Sequence, residues 1–465
     1  MSQDRWAVYE RFRKGLYEIL EYVPSPPQEQ FHRSRVRTKL LAGGERAGKS
    51  LATAIEAYTR SHFTRDGRPG VFWVVGPDYI QARKEFEYVV EMHEKMGRAI
   101  STLSMPRGPS SAWTLITKDG TQWATRTSKD ERKIASEAVD GIIMSEAAQQ
   151  TYSSYLKCRG RIAERRGWII LSGTFEGSVS YYVELYERWR ADNKEKAAAF
   201  SIPTWTNEVI YPGGRFNAEI AALEISMPHD LFMERIGAKP MKPEGLVFKE
   251  YSSLIHSVPL RMNPELPVEI AIDPGYNGAY SVLAIQLDGN NVNIIDEIYE
   301  RKTKTRRIIA MCKQRPWWHL VPKQSSAKSG GVIDIAARQH NADDSHIEIW
   351  LQDGGIALRS RPVGIREGIT AVRSFLLDDI TGNPRMFFNE VLSAGKDVSG
   401  HPMGIIGEFG AYKYRKWADG RPTTDLPIDQ YNHACKALGY WLYDTFGPVG
   451  ERLPLPEPVT RSYWQ

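Results

Sequence analysis

Cysteine is scarce in this chain of 465 residues. There are three, Cys158, Cys312 and Cys435, far apart and with no C-x-x-C pair. That spacing excludes a disulfide framework and a cysteine zinc site, and it suits a reducing compartment. Long apolar runs are missing too. No stretch approaches the roughly 18 residues read as a membrane span. Met1 is followed by the polar Ser2-Gln3-Asp4-Arg5, so neither a span nor a signal peptide is expected. No internal repeat is visible. Neither sign of charge dominates: 61 Lys and Arg against 56 Asp and Glu leave a net charge of +5, compatible with a nucleic-acid partner without pointing to one. The length exceeds what one core ordinarily holds, so two domains are expected.

What is present is a glycine-rich phosphate cradle. The stretch LLAGGERAGKS contains G-x-x-x-x-G-K-S, formed by Gly43, Gly44, Glu45, Arg46, Ala47, Gly48, Lys49 and Ser50. TKLLAG before it reads as a short apolar strand, and SLATAIEAYTR after it has helical spacing. Strand, glycine loop and helix is the arrangement in which backbone N–H groups wrap phosphates. Lys49 is expected to reach the β/γ-phosphates of ATP, Ser50 to bind Mg²⁺, and Arg46 to touch the nucleotide. Upstream, the amide of Gln28 in PSPPQEQFHRS is a candidate reader of the adenine edge, with its paired donor and acceptor.

More strand–helix units follow. GVFWVVGPDYIQARKEFEYVV is one, as a parallel sheet requires. In AVDGIIMSEAAQQ a buried strand ends at Ser145-Glu146. Such a strand end needs one carboxylate for the metal's water shell and one for the attacking water. Only Glu146 is present, so Glu146 is the expected base or water-positioner. Asp140 cannot supply the other, because five residues of strand span roughly 16 Å and place it at the wrong end. In GWIILSGTFEG, Ser172, Gly173 and Thr174 cap another strand and are candidates for sensing the γ-phosphate. Arg126, Arg132, Arg159 and Arg161 are candidate fingers for a neighbouring subunit's ATP.

The C-terminal half is organised around acids. PVEIAIDPGYNGAYSVLAIQL places Asp273 at a strand end beside a return strand, as RNase H-like nucleases present their first metal ligand. SGGVIDIAARQH places Asp334 at the end of a second short strand. DLPIDQYNHACKALGYWLYDTF reads as helical, with Asp429, Asn432, His433 and Lys436 on one face. Acids from two strands and a helix suit two Mg²⁺ or Mn²⁺ ions and in-line phosphodiester cleavage. Asp429 is the expected third ligand, with Asp425, Asn432 and His433 as alternatives. The interleaved YKYRKW (Tyr412–Trp417) is a candidate DNA-tracking edge or a charge-guarded sheet edge.

Taken in order, G-G-E-R-A-G-K-S, VVGPDYIQAR, a strand ending S-E-A-A, S-G-T, PGGRFNAEIAALEISMPHDLFMERIGAKPMKPEGLVFKEY, AIDPGY, GVIDIAARQ and NHACKALGYWL resemble the large terminase subunit of tailed bacteriophages over nearly the whole chain. The resemblance implies an α/β protein with an N-terminal P-loop NTPase domain on a mainly parallel sheet and a C-terminal RNase H-like nuclease domain on a mixed sheet. It implies ATP-driven movement of double-stranded DNA through a portal into a procapsid, and cutting of concatemeric DNA. It further implies a small terminase subunit as partner, a homo-oligomeric ring during packaging, and the host cell cytoplasm as location. Two positions depart from the family pattern. Ser145 stands where Asp is usual, and Lys436 where the last helix usually carries Asp.

The expected organisation is an ATPase domain from Met1 to about Pro203, a connector from about Thr204 to Met262, a nuclease domain from about Asn263 to Phe446 and a Pro-rich tail over 447–465. Two other functions fit the same motifs. One is a DNA-remodelling ATPase with an inactive nuclease. The other is a nucleotide-gated DNA-binding scaffold that binds ATP and barely hydrolyses it.

Overall fold

Strands such as TKLLAG, GIIM and WIILSG show no alternation of apolar and polar residues, and such runs belong to strands covered on both faces. A computed structural model of the chain places them at the centre of one sheet. The structure describes all residues except 1–2, 65–66, 131–133, 135–136, 177–179, 192–194, 242–244, 276–277, 325–327, 336–344, 379, 393–394, 396, 398–399, 417–421 and 448–465. It divides into two compact units, residues 1–241 and 242–465. Of the stretch expected to be a connector, the part up to Met241 folds with the first unit and the rest with the second.

The first unit contains β1 (Thr38–Gly43), β2 (Val71–Gly76), β3 (Ile100–Ser104), β4 (Thr114–Thr117), β5 (Gln122–Thr127), β6 (Gly141–Met144), β7 (Trp168–Gly173) and β8 (Ala197–Ile202). Their order in the sheet is β3-β4-β5-β2-β6-β7-β1-β8. From β5 to β8 every pairing is parallel, and only β4, antiparallel to both β3 and β5, is reversed near one edge. The C-terminal ends of β1, β2, β5, β6 and β7 therefore share one edge, the edge where parallel α/β sheets bind ligands. β1, β6 and β7 are buried at every position.

Helices α1 (Gln3–Ile19), α2 (Pro26–Arg33) and α3 (Lys49–Ser61) gather around β1. Their junction is ionic. Glu56 is fully buried and accepts from Lys39 Nζ at 2.7 Å, Arg60 Nε at 2.6 Å and His32 Nδ1 at 3.1 Å. Lys39 also donates to the Phe31 carbonyl at 2.6 Å. Burial alone would raise the Glu56 carboxyl, but Lys39, Arg60 and His32 outweigh it and hold the group well below the ordinary carboxylate range. α4 (Arg83–Lys95) follows β2.

In the second unit the strands are β9 (Ser257–Val258), β10 (Glu269–Asp273), β11 (Ala279–Asp288), β12 (Asn291–Arg301), β13 (Gly331–Ile333), β14 (Leu358–Arg359) and β15 (Met386–Asn389), ordered β14-β13-β10-β11-β12-β15-β9. β10, β11 and β12 form an antiparallel meander, and β13 and β14 join in parallel on the other side of β10. That mixed order, with the first strand of the meander central, is the RNase H-like topology. The last helix (His433–Phe446) packs across β10, β11 and β13.

The expected helix over 425–446 is shorter than its sequence suggests. Pro422–Pro427 forms β17, which pairs antiparallel with β16 (Tyr414–Lys416), and the helix begins only at His433. Tyr431 takes the left-handed backbone, with φ of 56°, so no helix can run through it. Asp429 consequently precedes the helix instead of lying on its face. Of YKYRKW, the ribbon takes up Tyr414 to Lys416, and Trp417 lies outside the described residues, as does the expected tail beyond Gly447.

Removing the charge of Glu56 strands Lys39 and Arg60 in the core. Glu56→Gln is expected to lower the stability of the first unit by about 3–5 kcal/mol, the usual cost of breaking a buried pair. Urea unfolding checks this: the midpoint should fall while the slope stays close to that of the wild type.

Candidate active sites

The first site forms where β1 turns into α3. Gly48 has φ of 85°, in the left-handed region. Gly44 approaches its surroundings so closely that a Cβ there would lie 2.3 Å from Thr204 Oγ1. The loop's carbonyls are held from outside: Thr174 Oγ1 donates to Gly43 O at 3.0 Å, Thr204 Oγ1 to Glu45 O at 2.7 Å and Asn207 Nδ2 to Arg46 O at 2.7 Å. The first turn of α3, beginning at Lys49, supplies N–H groups with no intrahelical acceptor, which suits an anion. The side chains of Glu45 and Arg46 are exposed, while Ala47 is buried.

Gln28 has a bracing role besides the expected one. Its Oε1 accepts from Ser25 N at 2.8 Å and its Nε2 donates to Ala47 O at 3.3 Å. Each end of the amide makes one backbone bond, leaving one N–H and one lone pair unused among the described residues. Gln28 thus braces the start of α2 against the cradle.

Glu146 stands across the loop. Its Oε1 is 3.9 Å from Lys49 Nζ. Its backbone is left-handed, with φ 48° and ψ 49°, a strained conformation of the kind found where function demands it. Burial raises its carboxyl above the ordinary range, Lys49 opposes that, and Glu176 adds to it. The end of β7 touches both sides of this site. Thr174 holds the cradle, and a Cβ on Gly173 would lie 3.2 Å from Ala148 N in the turn that carries Glu146. Ser172 Oγ is buried beneath, with no hydrogen-bond partner among the described residues.

Ser145 is also engaged. Its Oγ lies 2.6 Å from Glu85 Oε2 and 3.1 Å from Gln81 O. Glu85, on α4, is buried, and burial raises its carboxyl; the hydroxyls of Ser145 and Ser50 oppose the rise, while the charge of Glu146 adds to it. Glu85 was not among the candidates from sequence, yet its signal is there. Glu85, Val89 and Met92 are spaced i, i+4, i+7 on the buried stripe of α4, an acid where an apolar residue is expected. The oxygens of Ser50, Glu85 and Glu146 beside the Lys49 ammonium are hard donors of the kind Mg²⁺ prefers with a nucleotide, so these residues fit that group.

Asp140 sits at the other end of its strand, as expected, where it accepts from Val71 N at 3.0 Å and from Arg165 Nη1 at 2.8 Å. The helix Tyr152–Arg161 ends at that edge too, since Arg161 O accepts from Val139 N. Arg159 and Arg161 are thus remote from the chain's own cradle. Arg126 is at the nucleotide edge, in register with Val75 and over the Trp73 ring at 5.2 Å. Arg132 lies outside the described residues.

The second site lies on the mixed sheet. The parallel register Ile270↔Gly331, Ala271↔Val332, Ile272↔Ile333 makes Asp273 and Asp334 neighbours at adjacent strand ends, on one face. Asp273 is buried, and its Oδ2 is 2.9 Å from His433 Nδ1. A Cβ on Gly278 would lie 2.2 Å from His433 Nε2, so the turn after Asp273 needs a glycine to admit the ring. Burial lowers the His433 pKa, but the bond to Asp273 and the charges of Asp273 and Glu408 raise it further, and the net shift is upward.

Glu408, also not anticipated, is fully buried and accepts from Tyr299 Oη, His433 N and Cys435 N, each at 2.9 Å. It takes the orphan N–H groups of the last helix and so fixes where His433 stands. The sequence signal is an acid inside the apolar GIIGEFG.

Asp429 is mostly exposed, and its Oδ1 accepts from Lys436 Nζ at 2.7 Å and Asn432 Nδ2 at 3.0 Å, which hold it below the ordinary carboxylate range. Tyr440, on the face of Lys436, has its pKa raised by burial and by the charges of Asp273, Asp334 and Asp429. No group of three His, Cys, Asp or Glu side chains among the described residues converges to hold a metal ion. Asp273 and Asp334 stand together at the strand ends, while Asp429, the expected third ligand, is turned to Lys436. The side chain of Asp425 lies outside the described residues.

A phosphate loop at the C-terminal edge of a parallel sheet, faced by an acid from a strand two places away, makes the first unit a P-loop NTPase fold. The second is RNase H-like. No family model and no curated protein matches the chain. Among solved structures it is similar to the large terminase of a thermophilic bacteriophage, at 14% identity over 91% of this chain and 99% of that one, with a TM-score of 0.40. It is also similar to the large terminase ATPase domain of Thermus phage P74-26, at 20% identity over 48% of this chain and 97% of that one, TM-score 0.40. A third is the large terminase nuclease domain of bacteriophage SPP1 with bound Mn, at 14% identity over 43% and 98%, TM-score 0.31.

The contact between Asp273 and His433 is open to a direct test. Asp273→Asn removes the charge that raises the imidazole, so the His433 pKa should fall below its wild-type value in an NMR titration. Gly278→Ala, which pushes the ring away, should shift it the same way.

Proposed function

We propose that this chain is a DNA-packaging motor subunit of the large-terminase kind, in which ATP hydrolysis in the first unit drives double-stranded DNA into a procapsid and the second unit cleaves DNA. The observation that carries the ATPase part is Glu146 facing Lys49 at 3.9 Å across the cradle. Lys49 binds the β/γ-phosphates and Ser50 the Mg²⁺ that accompanies ATP; the ion neutralises phosphate charge. Arg46, at the loop tip, contacts the nucleotide. When Lys49 turns to phosphate, Glu146 loses the cation that opposes its raised pKa and becomes a better acceptor for the proton of the attacking water. Thr174, bound to Gly43 O, and Gly173, against the Glu146 turn, respond together to loss of the γ-phosphate and pass it along β7. In a ring of subunits, Arg126 is the finger candidate supported by its place on the nucleotide edge.

DNA is gripped through phosphates, since a motor must hold every base pair it passes, and the basic ribbon with Lys413 and Arg415 is a candidate contact. Portal, procapsid and small terminase subunit are the expected partners. Asp273 and Asp334 are the nuclease acids; Asp429 would serve as the third once released from Lys436. A DNA-remodelling ATPase with an inactive nuclease is the second reading, and the Lys436–Asp429 pair favours it.

ATP-driven uptake of DNA by purified procapsids with this chain tests the motor; no uptake removes it. Within the ATPase, Lys49→Ala is expected to weaken ATP binding. Glu146→Gln should still bind ATP but lose turnover by on the order of 10²–10⁴-fold, checked by phosphate release beside equilibrium binding. For the nuclease, wild type should nick supercoiled plasmid across a Mn²⁺ titration and Asp273→Ala should not. A wild type that never nicks establishes the second reading.

A further inference from the structure

The residue ahead of Glu146 is Ser145, and a hydroxyl cannot supply the anion that belongs on the metal side of a P-loop site. We propose that Glu85 supplies it, entering from α4 instead of from the strand end, so that the metal-side carboxylate of this ATPase has moved from one element to its neighbour. This rests on the ATPase reading of the first unit.

Three observations carry it. Glu85 is 1% exposed on a helix whose buried stripe is otherwise apolar save for His93. A buried charge in such a place is costly unless it is matched by donors or a cation. No Lys or Arg is paired with it among the described ion pairs, in contrast to Glu56. Second, its Oε2 lies 2.6 Å from Ser145 Oγ, so the carboxylate stands directly against the position that lacks one. Third, the Ser50 hydroxyl is close enough to pull the Glu85 carboxyl down against its burial, and Ser50 is the residue assigned above to the metal. An ion held by Ser50 would therefore lie within the reach of this carboxylate's charge.

A structural role alone explains less. A carboxylate serving only to pin the end of β6 would need no more than Ser145, which already reaches the Gln81 carbonyl, and an amide would do as well there without the cost of a buried charge. The arrangement also explains the serine. An aspartate at 145 would bring a second carboxylate to where Ser145 Oγ now lies, 2.6 Å from Glu85 Oε2, and like charges at that separation repel. Serine at 145 and glutamate at 85 are the two halves of one exchange.

The exchange can be reversed. The experiment measures equilibrium binding of ATP-γ-S to the full-length chain, in EDTA and across a Mg²⁺ series, with the electron paramagnetic resonance of bound Mn²⁺ as a second readout. Glu85→Gln keeps the shape of the side chain. It should retain metal-free binding and need about 10–100-fold more Mg²⁺ for half-maximal enhancement, the range by which groups supporting a metal site change its affinity. Adding Ser145→Asp to Glu85→Gln should restore the wild-type requirement, because the amide introduced on α4 can donate to the new carboxylate. Ser145→Asp alone should give no gain over wild type. An unchanged Mg²⁺ requirement in Glu85→Gln overturns the proposal and leaves the ATPase reading standing. So does loss of metal-free binding in Glu85→Gln with no rescue by Ser145→Asp, which marks a purely structural residue. A wild type that binds no nucleotide at any Mg²⁺ concentration overturns both.

Discussion

The cradle depends on a buried charge that never meets the nucleotide. Glu56 draws Lys39 of β1, His32 of α2 and Arg60 of α3 onto one carboxylate in the core. Those elements are the ones that enter, flank and leave the phosphate loop. A glycine-rich loop has little preference of its own for one conformation, since Gly loses more freedom on ordering than any other residue. Its shape must be imposed from outside. The Glu56 junction fixes the separation of strand and helix, and hydroxyl or amide donors from Thr174, Thr204, Asn207 and Gln28 then hold the carbonyls between them. Charge in the core is tolerated because every partner is matched; the same charge unmatched would dismantle the site it supports.

The end of β7 ties the cradle to the turn that carries Glu146. It has no chemistry of its own, yet Thr174 touches the cradle and Gly173 the Glu146 turn. A strand buried at every position moves as a unit or not at all. The Glu146 turn is held in a left-handed conformation that costs free energy, and its support by Gly173 and by Gln150, which donates to Ser145 O at 2.8 Å, is what keeps it there.

The second unit solves a different electrostatic problem. Asp273 and Asp334 are forced together by strand register, and like charges at adjacent strand ends repel. His433 answers Asp273 from the last helix, and that helix is set in place by Glu408 at its N-terminus. Lys436 answers Asp429 instead of the strand-end pair. The result is an acidic centre in which each described carboxylate of the helix region has a basic or N–H partner and no set of three is free to converge.

How much of this was legible beforehand follows from the range over which each feature is decided. The phosphate loop, its strand and its helix are local: glycine spacing and the switch from apolar run to helical period are written in consecutive residues. The strand ends bearing Glu146, Asp273 and Asp334 are equally local, because an acid closing a short apolar run has nowhere else to be. The bracing bonds of Gln28 are not legible in the sequence, because an amide's partners are set by what folds against it, here the carbonyl of Ala47. The last helix misled because the apolar stripe could not say where the helix starts; Tyr431 and the β16–β17 pairing decided that, and with it the fate of Asp429. Glu85 and Glu408 were passed over because an acid on an apolar stripe announces that it is buried, not what it is buried against. By itself the sequence determined the strand–loop–helix of the cradle and which strand ends carry charge. Only the tertiary structure decided which charges meet, because a carboxylate's partner lies across the fold, 60 residues away for Glu85 and Ser145 and 160 for Asp273 and His433, where no local pattern reaches.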